Sequence, residues 1–286
     1  MVDALAQGIL LGGLYASVAL GLSVVFGVLG LVNLAHGELL IGAAFVSFWV
    51  IDLLGVDPLL ALVVVAPVMF AVAYPIQRYV LTPVLTRSEE APLVATFGLS
   101  LLATGLLTQI AGSDPRSLEA SWAATGVSVL GVNIRVAYLL AFVFGVALVA
   151  ATHVALTRTR TGTAVRAAAA DPDTAAVMGM DVRRLYALTF GVAAAMAAVG
   201  GTFIGVAFSF TPTAGLGWLL TGFAVVVLGG IGSVSGTLLG GLAVGVVEAV
   251  GIEIVGGAYR DLIVYGLFFV ALTIRPTGIF GKARTA

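Results

Sequence analysis

Residues 185–247 read LYALTFGVAAAMAAVGGTFIGVAFSFTPTAGLGWLLTGFAVVVLGGIGSVSGTLLGGLAVGVV, sixty-three positions without one Asp, Glu, Lys or Arg. A bilayer hydrocarbon core about 30 Å thick takes ~20 apolar residues per helix, so this run alone has room for about three crossings. The same bias extends through the chain: 60% hydrophobic residues, 9% charged residues and a mean hydropathy of +1.16. Ordinary soluble domains carry roughly a quarter charged residues, and a soluble fold of this size has too little polar surface to cover so much apolar area. Membrane-crossing strands would alternate lipid-facing and polar residues, whereas these runs are apolar all round. Helices satisfy their own backbone hydrogen bonds in a solvent that offers none. The expected fold is therefore all-α, a polytopic membrane helix bundle forming a single transmembrane domain over residues 1–286.

Working outward from that run, hydropathy and charge predict about eight to nine crossings. They lie near Ala4–Val32, Leu34–Ile51, Leu59–Ile76, Pro92–Ile110, Val136–Val154, Leu185–Phe208, Leu216–Ile231, Thr237–Val250 and Ala258–Ile274, with broken or re-entrant segments among them. The start, Met1 to Gln7, carries Asp3 and no Lys or Arg. It lacks the basic n-region of a signal peptide, so the first helix is expected to stay.

Thirteen basic residues set the orientation. Arg78 and Arg87 flank one loop, Arg158, Arg160, Arg166, Arg183 and Arg184 lie in a later polar stretch, and Arg275, Lys282 and Arg284 form the tail. An even number of helices separates these groups, so ten charges share one face and Arg116, Arg135 and Arg260 remain for the other. The positive-inside rule puts the ten-charge face and the C-terminus in the cytoplasm and the N-terminus outside. Two linkers are long enough to carry structure. The segment 113–133 is expected outside. The segment 157–184 is expected in the cytoplasm as a short helical hairpin, Ala164–Ala170 and Thr174–Met180, interrupted at Asp171-Pro172-Asp173 because Pro lacks a donor and restricts its predecessor.

Glycine is abundant, 37 residues, and recurs at four-residue spacing: Gly8 and Gly12, Gly201 and Gly205, Gly236 and Gly240, Gly241 and Gly245. Small residues so spaced let helix backbones approach closely in lipid, which predicts dense packing. Two Gly-rich junctions break the apolar pattern. In Gly30-Leu-Val-Asn-Leu-Ala-His-Gly-Glu38, the side chains of Asn33, His36 and Glu38 interrupt a stretch fit for the hydrocarbon core. Ionisable groups at membrane depth are costly and face protein or a water-filled cavity. The junction is thus either a kink beside a translocation path or an ordinary loop and helix cap at the inner interface. In Gly229-Gly-Ile-Gly-Ser-Val-Ser-Gly236 the polar side chains are Ser233 and Ser235. Gly21-Leu-Ser-Val-Val matches Gly222-Phe-Ala-Val-Val, and Gly37-Glu-Leu-Leu matches Gly236-Thr-Leu-Leu, a faint internal repeat of the kind from which transporter halves derive. An inverted repeat would place the two breaks on opposite sides, while the helix count places both inside.

Several chemistries find no support. There is no cysteine, hence no disulfide framework or thiol nucleophile. His36 and His153 stand far apart without metal-ligand spacing, so no metal is expected. The phosphate-loop pattern is missing, and Gly281-Lys282 is followed by Ala283. No catalytic residue or cofactor is assigned. Glu248 and Glu253 either gate or bind an ammonium group or mark the membrane edge, and Asp261 beside Arg260 reads as an interfacial pair.

The residues Gly12-Gly-Leu-Tyr-Ala-Ser-Val-Ala-Leu-Gly-Leu-Ser-Val-Val-Phe-Gly-Val-Leu-Gly-Leu-Val-Asn-Leu-Ala-His-Gly-Glu38 resemble the N-terminal signature of the LivH-type permeases of branched-chain amino-acid ABC transporters. Arg160-Thr-Gly-Thr-Ala-Val-Arg-Ala-Ala-Ala-Ala-Asp171 with Ala176-Val-Met-Gly-Met-Asp-Val-Arg-Arg184 is similar to that family's large cytoplasmic loop. Ala224-Val-Val-Val-Leu-Gly-Gly-Ile-Gly-Ser-Val-Ser-Gly236 with Arg275-Pro-Thr-Gly-Ile-Phe-Gly281 resembles its C-terminal half. The resemblance implies a multi-pass subunit of a bacterial-type cell membrane, working with a second permease, two cytoplasmic ATPase subunits and an extracytoplasmic substrate-binding protein, and touching no nucleic acid. It implies a coupling helix in the 157–184 loop, with Thr161, Gly162, Arg166, Met178 and Gly179 as ATPase-coupling residues. Asn33, His36, Glu38, Ser233 and Ser235 are the substrate-pathway candidates.

Related permeases carry urea or short amides, and the lack of a long N-terminal extracytoplasmic extension leans toward amino acids. A stand-alone secondary transporter would need intramembrane carboxylates for coupling ions, which the 185–247 run lacks. A membrane enzyme would need a catalytic cluster, and none can be assembled.

Overall fold

The computed structural model describes residues 1–85, 88, 90–123, 125–129 and 132–274. In chain order its helices are α1 (Val2–Leu29), α2 (His36–Leu54), α3 (Pro58–Pro75), α4 (Thr82–Leu85), α5 (Ala91–Ala111), α6 (Val136–Arg158), α7 (Arg160–Ala170), α8 (Pro172–Val177), α9 (Val182–Ala207), α10 (Gly215–Gly229), α11 (Val234–Val255) and α12 (Arg260–Ile274). Among the described residues nine helical runs are long and apolar enough to cross a membrane, and each predicted segment falls on one of them.

The boundaries move for identifiable reasons. The first helix stops at Leu29 rather than Val32, because Gly30 adopts a left-handed φ of 64° and its N–H closes on the Phe26 carbonyl. The third does not end near Ile76. Pro75 cannot donate its backbone bond, and the chain continues as a π-helix, Ile76–Leu81, into α4. Arg78 therefore sits within a helical run, its Nη1 donating to the Tyr74 hydroxyl at 3.0 Å, rather than in a flanking loop. Arg87 and the tail residues Arg275, Lys282 and Arg284 lie outside the described residues.

The centre of the bundle is α1, enclosed by α6, α9, α10 and α11. The paired glycines make this possible. A Cβ on Gly12 would lie 2.6 Å from the Leu242 Cα, one on Gly8 2.8 Å from the Val246 Cα, and one on Gly245 2.4 Å from the Gly8 carbonyl oxygen. Backbones of α1 and α11 thus touch directly, as the four-residue spacing predicts. The same holds for Gly201 against the Leu40 oxygen of α2, at 2.1 Å, and Gly240 against the Val225 oxygen of α10, at 2.2 Å. At the other extreme, α5 and α12 leave most of their surface outside the chain's own packing.

The segment 113–133 carries structure of its own, but as strands. β1 (Gly126–Val129) pairs antiparallel with β2 (Val132–Arg135), with Gly126 opposite Arg135. Arg116 exchanges two backbone hydrogen bonds with Phe210, and the Trp122 indole donates to Asp57 at 2.7 Å. The Gln7 amide reaches the Asn133 carbonyl at 3.1 Å, so this cover lies at the end of the bundle that holds the start of α1.

The Gly30 and Gly230 breaks lie at one end of the bundle: Gly27, near the end of α1, has its Cβ position 3.0 Å from the Gly232 Cα. The helix count placed them together. A two-fold axis in the membrane plane would have separated them.

Candidate functional site

The chain between α1 and α2 does not lie at the end of α1. The His36 ring places Nε2 2.8 Å from the carbonyl oxygen of Val18, eleven residues before Leu29. At 1.5 Å per residue that is about 16 Å back along α1. The link from Gly30 to Ala35 therefore climbs back into the bundle, and Asn33 and His36 are fully buried. Protein thus encloses the link, and its local chemistry is that of a cap: the Asn33 amide oxygen accepts from the Ala35 N–H at 3.1 Å, satisfying a freed donor. Since a carbonyl only accepts, His36 Nε2 carries the proton.

Glu38, in the first turn of α2, has no cation beside it among the described residues. Its Oε1 accepts a 3.4 Å hydrogen bond from Thr104 of α5 and sits over the first residue of α10, 2.7 Å from where a Gly215 Cβ would be. A Cβ on Gly37 would lie 2.0 Å from the Gly215 carbonyl oxygen, so the N-termini of α2 and α10 meet backbone to backbone. Each helix start carries about half a positive charge in unpaired N–H groups. The carboxylate thus faces two helix N-termini in place of a counter-ion. Four buried polar atoms around this junction have no hydrogen-bond partner among the described residues: Ser23 Oγ, Asn33 Nδ2, His36 Nδ1 and Glu38 Oε2. A buried unpaired polar group costs roughly 1–3 kcal/mol.

Ser233 and Ser235 are not part of that cluster. Ser233 caps α11, its Oγ accepting from the Gly236 N–H at 3.1 Å, and Ser235 is exposed on the first turn.

At the same end, α7 and α8 form the hairpin. α7 begins at Arg160, four residues before the predicted Ala164, because Thr159 caps it by accepting from the Gly162 N–H at 2.9 Å. Pro172, read as a break, is instead the first residue of α8, where its missing N–H costs nothing. Asp171 caps that helix through the Asp173 and Thr174 amides, and its carboxyl is held below the usual aspartate range chiefly by the Thr174 hydroxyl. The second helix ends at Val177 rather than Met180, because Gly179 turns left-handed at φ 84°. Arg166, Met178 and Gly179 are exposed. Gly162 is buried against α6, its Cβ position 2.1 Å from the Ala155 carbonyl oxygen. Thr161 and Gly162 also line an apolar cavity of about 200 Å³ with Val24, Leu156, Val165 and Met196.

A third constellation was only partly legible. Glu248 is buried, with Oε1 accepting from Arg260 Nε at 2.7 Å and Oε2 from the Tyr15 hydroxyl. Arg260 Nη2 in turn donates to the Tyr15 oxygen at 2.8 Å, closing a ring of three side chains. The guanidinium lies over Phe208 and Trp218, 4.9 and 5.5 Å from their centroids. Its partner is thus Glu248 and not the adjacent Asp261, which is exposed. Glu253 is exposed at the rim.

With this geometry in place, comparison with known proteins gives a direct match. The family described as "Branched-chain amino acid transport system / permease component" matches residues 4–272. The chain belongs to this permease family. A relative from Pseudomonas aeruginosa, the high-affinity branched-chain amino acid transport system permease protein BraD, is 34% identical over 97% of this chain and 95% of its own length. The permease protein LivH of Escherichia coli K12 is 31% identical over 96% of this chain and 94% of its own. At the level of fold, the chain is similar to the structure of PsaBC from Streptococcus pneumoniae in complex with Fab, with a TM-score of 0.50 and 14% identity over 96% of this chain and 93% of that one. The permease-family match includes both junctions, the hairpin and the Arg260 ring. The Arg275–Gly281 stretch lies beyond it and outside the described residues.

Proposed function

We propose that this chain is a transmembrane permease subunit of an ATP-driven importer of branched-chain amino acids, moving its substrate by alternating access. The observation that carries this is the family match along nearly the whole chain, on a bundle with nine membrane-crossing runs among its described residues. ATP hydrolysis belongs to two cytoplasmic partner subunits, a homologous second permease completes the pathway, and an extracytoplasmic binding protein delivers substrate. The chain is thus a transport subunit rather than an enzyme, one transmembrane domain over residues 1–286 with segment 113–133 outside and segment 157–184 inside.

The hairpin of α7 and α8 is the ATPase docking element. Its support is geometric: two short capped helices projecting between α6 and α9, with Arg166, Met178 and Gly179 exposed at its surface and Thr161 and Gly162 at its seat. Five arginines, Arg158, Arg160, Arg166, Arg183 and Arg184, argue for the cytoplasmic side, and the C-terminus follows. The substrate path runs past the α1–α2 junction. Non-helical backbone within a membrane bundle is tolerated where protein buries it or it lines a water-filled cavity, and the unpartnered atoms of Asn33, His36 and Glu38 are groups that a passing hydrated zwitterion would satisfy. Ser233 and Ser235 stand at the second break at the hairpin end.

The test is uptake of radiolabelled L-leucine into proteoliposomes holding the chain with its partner subunits and binding protein. ATP-dependent accumulation that excess urea or acetamide leaves untouched is the expected result. Uptake driven by an ion gradient without ATP, or preference for urea or the amide, refutes the proposal.

A further inference from the structure

The Arg260 ring stands at the floor of an open pocket of about 300 Å³ at the end of the bundle that holds the start of α1. Asp3, Gln7, Leu11, Tyr138, Phe208 and Ile252 are among its walls. Small-molecule sites take this form: mostly apolar walls with a few fixed polar groups, at the low end of the usual ~300–1,000 Å³.

The floor is a partly used cation. Glu248 engages Nε and Tyr15 engages Nη2, while Nη1 has no hydrogen-bond partner among the described residues, and the Arg260 side chain remains 30% exposed. Glu248 is spent on its two partners. Trp218 and Phe208 hold the plane of the guanidinium from the sides, so the free edge is fixed in direction. A fixed guanidinium edge is a carboxylate receptor, because its parallel N–H groups match two carboxylate oxygens. On the pocket's rim Glu253 already pairs with the N-terminal ammonium at 3.7 Å, which leaves Asp3 as the carboxylate that suits a substrate ammonium group. Leu11, Ile252 and the ring faces of Tyr138 and Phe208 suit a short aliphatic chain.

We propose that Arg260 and this pocket form the entry site of the permease, taking an aliphatic amino-acid zwitterion with its α-carboxylate on the free edge of Arg260. The inference rests on the importer function above and names the residue that first receives its substrate. Tyr15 and Glu248 are positioning residues that hold Arg260 in place.

The probe is tritiated L-leucine, bound at equilibrium by scintillation proximity to the assembled, nucleotide-free permease–ATPase complex in nanodiscs without binding protein. Competitors are 4-methylpentanoate, which keeps the carboxylate, and 3-methylbutylamine, which keeps the ammonium. Saturable leucine binding, displaced by the acid and not by the amine at tenfold higher concentration, is expected. Arg260→Gln is expected to weaken binding at least tenfold, about 1.4 kcal/mol. Ile252→Trp fills the pocket without touching the ion pair and is expected to abolish binding, which decides the matter should R260Q fail to fold. Leucine binding unchanged in I252W, or equal competition by amine and acid, overturns the entry site. If that occurs while wild-type vesicles still accumulate leucine with ATP and binding protein, the importer function stands and the entry site alone falls. Absence of ATP-driven leucine uptake in the wild type overturns both.

Discussion

Gly162 offers the sharpest test of the hairpin. A methyl group at this position would sit 2.1 Å from the Ala155 carbonyl oxygen and 2.6 Å from the Leu156 Cα, whereas ordinary contact begins at 3.4 Å. The shortfall against the oxygen is 3.4 − 2.1 = 1.3 Å, and the atoms met are backbone, which has no rotamer to yield. Either α7 lifts from α6, swinging about the single extended residue Thr159 that joins them, or α6 deforms. Overpacking of this kind costs about 1–3 kcal/mol, and the same range corresponds to roughly 5–150-fold in an equilibrium. In Gly162→Ala we expect the ratio of leucine imported to ATP hydrolysed to fall by a factor within that range, with ATP hydrolysis by the complex retained. The comparison variant is Gly98→Ala on α5, where a Cβ meets nothing within 4 Å. A G162A complex that assembles normally and keeps the wild-type ratio would refute the idea that α7 must be seated on α6 to transmit force.

Gly12→Ala puts a methyl 2.6 Å from the Leu242 Cα and should lower the apparent melting temperature of the detergent-solubilised chain, by about 1–3 kcal/mol of overpacking. Gly98→Ala should raise it slightly, since a mid-helix Gly costs roughly 0.5–1 kcal/mol relative to Ala; equal shifts in the two variants would defeat the backbone-contact account of α1 and α11. The lowered pKa of Asp171, set first by the Thr174 hydroxyl, means the ionised cap contributes fully above the ordinary aspartate range and is lost as pH falls through the lower folded-state value. Protection factors of the amides of residues 173–175, taken against intrinsic exchange at each pH, should therefore hold at neutral pH and fall only in acid, whereas Asp171→Ala should show low protection throughout. The chain has no native cysteine, so Arg166→Cys and Glu253→Cys give clean single-label sites. An impermeant maleimide applied to intact cells should modify the second and spare the first, and the reverse pattern would invert the orientation.

The crossings were legible because hydropathy is a property of composition, and lipid imposes it on every exposed helix face. The α1–α2 junction was legible for the converse reason: Asn33, His36 and Glu38 have no business in hydrocarbon unless protein surrounds them. Depth was not legible, because nothing in the spacing of Gly30 and His36 says that the link folds back along α1. Nor was Glu38's neutralisation by two helix starts, since Gly215 lies 177 residues further on, 215 − 38, and contributes only backbone. The hairpin's start escaped because one hydroxyl, Thr159, moves it by four residues. Arg260 misled most. Its neighbour Asp261 offers the obvious ion pair, yet consecutive residues on a helix point in different directions, and the true partners, Glu248 and Tyr15, are 12 and 245 positions away.

These separate sites share one element. Val24 of α1 lines the apolar cavity beside Gly162 and Val165 of the hairpin helix, and Tyr15, nine residues earlier, holds Arg260, a distance of about 14 Å along the axis. Between and around them α1 is clamped by direct backbone contact: Gly8 and Gly12 on α11, and Gly13 against α6, where a Gly145 Cβ would lie 2.1 Å from the Gly13 carbonyl oxygen. Side chains in a core can change rotamer to absorb a displacement, but touching backbones cannot. With the hairpin as the docking element proposed above, a push at α7 meets a spine in which α1, α6 and α11 touch backbone to backbone. α5 and α12 are the helices least enclosed by the chain's own packing, and α12 begins at Arg260. On the entry site proposed above, one helix thus carries both the tyrosine that holds Arg260 and a wall of the cavity beneath the hairpin.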